Sequence, residues 1–200
     1  MNLFGVSIGE GNGKIGDVYT FSLPSRQTCP GASTWCRKHC YAYRYERHRP
    51  TCRRAYHRNL VLARDPVRFV HTMIGALPRL MPSMRIHVAG DFMSIPYIEA
   101  WTEVCKAYPD TRFWAYTRSW AVPELLGPLE RLRELPNMEL FGSTDPTMPL
   151  PPDHWRRAFI DTDPRATGIP CKEQTHEHLS CQECGYCFRA HSGNVIFKVH

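Results

Sequence analysis

Along the stretch DVYTFSLP, Tyr19, Phe21 and Leu23 alternate with Val18, Thr20 and Ser22, a period of two that predicts a strand stopped by Pro24. The glycine-rich GEGNGKIG before it reads as turns. Farther along, Ala55, Leu60, Val61 and Leu62 suit a helix from about Arg53 to Ala63 with a strongly basic outer face. A second helix is predicted from Asp65 to about Leu80. Asp65 can cap it, Pro66 fits its first turn, and Phe69, Val70, Met73, Ile74 and Leu77 recur at helical spacing until Pro78.

From there a strand, a loop and a helix repeat. A strand at Met84 to Ala89 ends in Gly90 and Asp91, and a helix from Ser94 or Ile95 to Ala107 turns Ile98, Trp101, Val104 and Cys105 inward. His87, inside that strand, reads as a core histidine. Next come a strand at Arg112 to Thr117, a helix across Pro123 to Leu135, and a strand at Met138 to Gly142. A weaker strand at Ala158 to Asp161 and a last one at Val195 to Val199 complete six. Strands separated by helices argue for parallel crossover units. The expected fold is a single α/β domain over residues 1–200, a small open or partial (β/α) barrel of TIM-barrel type. A doubly wound sheet has the same element order, because periodicity does not fix closure.

Two hundred residues with 42% apolar and 22% charged content are ordinary for one globular domain. No apolar run approaches the roughly 18 residues of a membrane span, and MNLFGVSIGEGNGK lacks the order of a signal peptide. A cytoplasmic protein without membrane contact is expected. In a reducing compartment, nine cysteines, an odd number, suggest metal or redox chemistry more than disulfides.

The net charge of +6 is concentrated: Arg37 to Arg68 holds ten Lys or Arg residues against Glu46 and Asp65 alone. Arg44, Arg47, Arg49, Arg53, Arg54 and Arg58 interleave there with Tyr41, Tyr43, Tyr45 and Tyr56. Cations set among aromatic rings can hold phosphates and stack on bases, so nucleic acid or another polyanion is a candidate partner.

Seven of the nine cysteines fall in two groups. In the loop 29–40, six residues separate Cys29 from Cys36 and three separate Cys36 from Cys40. Three sulfurs can hold a cubane while one iron stays open to water, a ligand, or a fourth group such as His39, Cys52 or His57. In the carboxy-terminal group 171–187, Cys181, Cys184 and Cys187 follow one another at two-residue gaps around Gly185, with Cys171 as a fourth thiol. Four thiolates make a closed site that suits structural zinc or an iron–sulfur cluster, and spacing alone does not name the metal; a 4Fe–4S cluster is the expectation, zinc the alternative. One centre drawing on both groups is also compatible with the spacing. Gly90, Asp91, Thr117, Arg118, Ser143 and Asp145 lie at the carboxyl ends of predicted strands, where α/β folds collect a pocket, although such residues also cap helices.

The stretches FSLPSRQTCPGASTWCRKHCYA, RIHVAGDF, FWAYTRS, FGSTD, CQECGYC and VIFKVH together resemble a phage-encoded family of cysteine-rich gene products without an assigned activity. More distantly, the chain is similar to radical S-adenosylmethionine enzymes, whose partial barrel places a three-cysteine loop after the first strand and a glycine-rich acidic motif after the second. Cys29, Cys36 and Cys40 match the first place; Ala89, Gly90 and Asp91 match the second. That resemblance implies an iron–sulfur centre and S-adenosylmethionine as a second cofactor. The competing expectation is a non-enzymatic nucleic-acid-binding protein with structural zinc.

Overall fold

A computed structural model describes residues 2–3, 5–176, 179–189 and 193–199; His200 lies outside them. The chain opens with β1 (Asn2–Leu3) and β2 (Val6–Ser7), which pair antiparallel as a small ribbon. The glycine-rich stretch expected to be turns forms a strand, β3 (Gly9–Asn12), which pairs antiparallel with β4 (Gly16–Phe21). The first cysteine loop follows, carrying two short helices, α1 (Thr34–Lys38) and α2 (Tyr41–His48). Two longer helices come next, α3 (Pro50–Ala63) and α4 (Pro66–Ala76). Asp65 caps α4 by accepting from the Arg68 N–H at 3.1 Å. The helix stops short of the expected Leu80 because Leu77 precedes Pro78 and is extended, at ψ 139°.

The alternating part is β5 (Ser83–Ile86), α5 (Ile95–Ala107), β6 (Arg112–Thr117), α6 (Pro123–Arg133), β7 (Met138–Ser143) and β8 (Arg156–Ile160). β5 ends three residues before the expected Ala89, because His87 turns left-handed at φ 64° and leaves the extended path. Then come β9 (Ile169–Pro170), α7 (Lys172–Thr175), α8 (Cys181–Cys184) and β10 (Val195–Phe197).

The main sheet has eight strands in the order β3-β4-β5-β6-β7-β8-β10-β9, parallel everywhere except β3 with β4. From β3 to β8 the spatial order is the chain order. A doubly wound sheet reverses its order at a switch point, so that alternative does not describe these strands. The sheet is open, with β3 and β9 at its edges.

Strand alternation divides the sheet into two faces. Phe21, Met84, Ile86, Phe113, Ala115 and Leu140 pack against Phe69, Met73, Ile98, Trp101 and Leu129 of the helices. The opposite face presents Val18, Trp114 and Tyr116, then Phe141, Ala158 and Val195, and is covered by Cys181, Cys187, Phe188 and Tyr186. Cys171, Cys181 and Cys187 of the second cysteine group therefore pack on this face of the sheet.

Candidate metal centre

The first cysteine loop is held by the ends of the strands. Cys36 lies within α1, whose N-cap Ser33 accepts from the Cys36 N–H at 2.9 Å. Ser33 Oγ in turn donates to Asp145 Oδ2 at 2.6 Å. Cys40 caps α2, its sulfur accepting from the Tyr43 N–H at 3.4 Å. Gly31 lies so close to the Arg118 carbonyl that a Cβ there would collide with it. Burial, reinforced by the charge of Asp91 and by Cys36 and Cys40, pushes the Cys29 thiol up to about 12. Burial likewise raises Cys36, opposed by Arg118 and aided by Cys40, Asp91 and Asp145. The three sulfurs and the strand-end carboxylates thus share one electrostatic neighbourhood.

The expected pocket residues gather, but they are engaged with one another. Asp91 accepts from Thr117 Oγ1 at 2.5 Å, the Arg118 N–H at 2.8 Å and the Phe92 N–H at 2.7 Å. Burial raises its carboxyl although those hydrogen bonds pull the other way. Arg118 Nη1 donates to the fully buried Asp145 at 2.6 Å, and Asp145 also accepts from the Thr147 N–H and hydroxyl. Burial opposes ionisation of Asp145, but Ser33, Thr147 and the Arg118 charge outweigh it and hold the carboxyl below its usual range. Ser143 contributes its carbonyl to Trp120 Nε1 at 2.9 Å. Gly90 has φ 82°, and a side chain there would meet Leu23 and Thr28. This network clamps the cysteine loop to β6 and β7.

Of the proposed fourth ligands, His39 stacks on Trp35 at 4.3 Å and its Nδ1 lies 3.0 Å from the Trp35 carbonyl. Cys52 and His57 are on α3, His57 exposed. Cys105 is a fully buried core thiol, as expected. His87 is buried among Phe21, Phe92 and Trp101 with Nε2 2.9 Å from Tyr97 Oη. Burial, with the Arg85 charge, pushes it down to about 3, so it is neutral.

The second group is built differently. Cys171, Cys181, Cys184 and Cys187 line one small, partly open cavity of about 20 Å³, with Ile169, Val195 and Phe188 around them. Ser180 and Glu183 form a reciprocal cap at the start of α8, and Gly185 ends it. The Cys181 and Gln182 N–H groups donate to the Lys14 and Ile15 carbonyls at 2.9 and 3.2 Å, which fastens α8 to the β3–β4 turn. Across the sheet, Arg156 donates to the Tyr186, Arg189 and Gly193 carbonyls and pairs with Glu139 at 2.8 Å. The segment thereby bridges the first strands and the last. Burial raises Cys181 to about 12, with Arg85 opposing and Cys187 and Cys171 adding. Burial raises Cys187 to about 11, while the Tyr116 hydroxyl donates to its sulfur and lowers it. Cys171 is also raised, chiefly by burial. Among the described residues no three His, Cys, Asp or Glu side chains are drawn into ready coordination geometry.

Arg85 is the residue that sequence reasoning passed over. It sits on β5, facing the cysteine-lined side, with its guanidinium 5.1 Å from the Tyr116 ring. Its Nε is sealed from solvent and has no hydrogen-bond partner. Its charge acts on Cys181 and Cys187. No motif marks it; only its place on an inward strand position could have suggested a buried cation.

The fold and this site define an α/β protein with an open, mostly parallel sheet, one face of which is closed by a cysteine-rich segment. The chain belongs to the Gene product 88 family, whose pattern matches residues 7–162. That span contains the first cysteine loop and every strand-end residue above, and ends before Cys171. The chain is 30% identical over 219 aligned positions to the Gene 88 protein of Mycobacterium phage L5, covering 94% of this chain and 90% of that one. It is 29% identical over 223 positions to the Gene 88 protein of Mycobacterium phage D29, with the same coverages. No solved structure matches.

Proposed function

We propose that this protein binds an iron–sulfur cluster in the carboxy-terminal cysteine group, on a sheet wound as a partial TIM-type barrel. The observation that carries the proposal is the convergence of Cys171, Cys181, Cys184 and Cys187 on one small cavity. Four thiolates complete the coordination of a 4Fe–4S core, which gives the protein a redox or structural role without an open iron. A core of that size needs the sulfurs drawn outward from the present 20 Å³. The chain-order strands β4 to β8, with helices packed on one face, support the barrel winding.

Cys29, Cys36 and Cys40 supply three further thiols, enough for a second cluster with one iron open to S-adenosylmethionine. Asp91 already accepts three hydrogen bonds, so the cofactor's amino group would need an additional acceptor. The second reading, structural zinc in a nucleic-acid-binding protein, is favoured by the small cavity and by the surface of α2 and α3. There Arg47, Arg49, Arg53, Arg54 and Arg58 are exposed, while the only two acids of the basic stretch are spent on Ser25 and on capping α4.

Anaerobic purification followed by iron, acid-labile sulfide and zinc analysis separates the two. Brown protein with sulfide, lost in Cys184→Ser, supports the cluster. Colourless protein with stoichiometric zinc defeats it.

A further inference from the structure

We propose that Arg85 is the counter-cation of a doubly negative, four-thiolate metal centre held by Cys171, Cys181, Cys184 and Cys187. This inference rests on a metal occupying that site and names what the site requires of its occupant. A guanidinium does not lose its proton in a protein, so a buried one needs an anion nearby. The buried Arg156 satisfies this rule: it pairs with Glu139 and donates to three carbonyls. Arg118 does so through Asp145. Arg85 is half-buried, pairs with no carboxylate and makes no side-chain hydrogen bond among the described residues, and its Nε is sealed from solvent without a partner. What stands around it is the Tyr116 ring, Cys181 and Cys187.

The charge gains its partner if the four thiols lose their protons to bind Zn²⁺ or a [4Fe–4S]²⁺ core, since either centre then carries two net negative charges. The Tyr116 hydroxyl, which favours the ionised form of Cys187, would stabilise the same thiolate. Arg85 is thus a positioning and charge-balancing residue rather than a ligand. For an iron–sulfur occupant it also biases reduction: one electron added to the cluster makes the centre more negative, and a fixed cation favours that form.

Arg85→Met and Arg85→Lys test this in the full chain, loaded with zinc or reconstituted with iron and sulfide. In Arg85→Met, metal affinity measured by chelator competition should fall at least tenfold, while the metal-free protein should melt at a higher temperature because the unpaired charge is gone. Arg85→Lys should restore most of the affinity. With iron–sulfide, dithionite titration of Arg85→Met should show the reduction equilibrium shifted about tenfold toward the oxidised form, about 59 mV lower for one electron. Unchanged affinity in Arg85→Met, or a metal-free Arg85→Met that melts lower, overturns the role of Arg85 while leaving the metal site standing. Wild-type protein whose metal content is unaffected by Cys184→Ser overturns the site itself.

Discussion

The two cysteine groups are held in opposite ways. The loop 29–40 is fixed by polar contacts that are complete without any ligand: Ser33 to Asp145, Asp145 to Arg118, Asp91 to Thr117. The group 171–187 lies over an apolar sheet face, where burial raises Cys171, Cys181 and Cys187 around one small cavity and the nearby Arg85 has its Nε sealed without a hydrogen-bond partner. Their surroundings differ in kind: hydrogen bonds and an ion pair tie the first loop to the strand ends, whereas the second group is seated by packing on an apolar sheet face.

The contrast can be broken most forcefully at the first site. Asp145→Ala leaves Arg118 buried without its partner, a change that costs about 3–5 kcal/mol and lowers the melting temperature by roughly 6–20 °C for a domain this size. Circular dichroism melts should show this loss to be equal with and without a chelator. A loss that vanishes in chelator would make the first loop metal-dependent as well. Next in size, Cys184→Ser should lower bound metal to background and reduce melting by several degrees, about 2–4 °C for each kcal/mol of coupling lost. Chelator should add nothing to that variant, and the Asp145→Ala and Cys184→Ser effects should add, as they do for sites without shared partners.

A smaller effect is expected from acid. The depressed Asp145 carboxyl contributes stability that is fully present above the unfolded carboxylate value of about 3.9 and is lost as pH falls through its lower folded value. Wild-type stability should therefore drop across that window, and Asp145→Asn, less stable at neutral pH, should show a shallower drop. Parallel pH curves would remove Asp145 from the acid response. The least effect on folding belongs to the basic helices. Arg53→Glu with Arg54→Glu should leave melting and metal unchanged but weaken binding of labelled oligonucleotides, itself falling at least about tenfold between 50 and 200 mM salt. No binding by the wild type at low salt sinks the polyanion partner.

Much of the frame was legible from periodicity. All six expected strands and the four long helices are present, because Phe21, Phe113, Leu140 and Trp101 announce their faces through spacing alone. Helix α2 was not, since its inward positions are Ala42 and the charged Glu46, whose carboxylate accepts from the Ser25 N–H at 2.9 Å. A buried glutamate erases the apolar stripe that pattern reading needs. Asp91, Thr117, Arg118 and Asp145 of the strand ends do lie together. Their mutual bonding was invisible, because which strands become neighbours is a tertiary fact. Arg85 was hidden for the same reason: a single arginine in RIHVAGDF looks solvated until the segment around Cys181 is known to lie over it. His87 was read rightly as core but wrongly as strand, for nothing in its neighbours signals the left-handed turn.

The bridging of α8 to the β3–β4 turn has a consequence for the protein's birth. Residues 181–189 are translated after β3 through β8, so those strands leave the ribosome before the piece that shields Val18, Trp114, Tyr116 and Phe141 exists. Until it docks, the nascent domain carries an oily face that invites association with other chains. If thiol ligation secures that docking, metal supply governs yield: cells starved of iron and zinc should accumulate this chain in the insoluble fraction, whereas equal soluble yields with and without metal would mean the seal forms by packing alone.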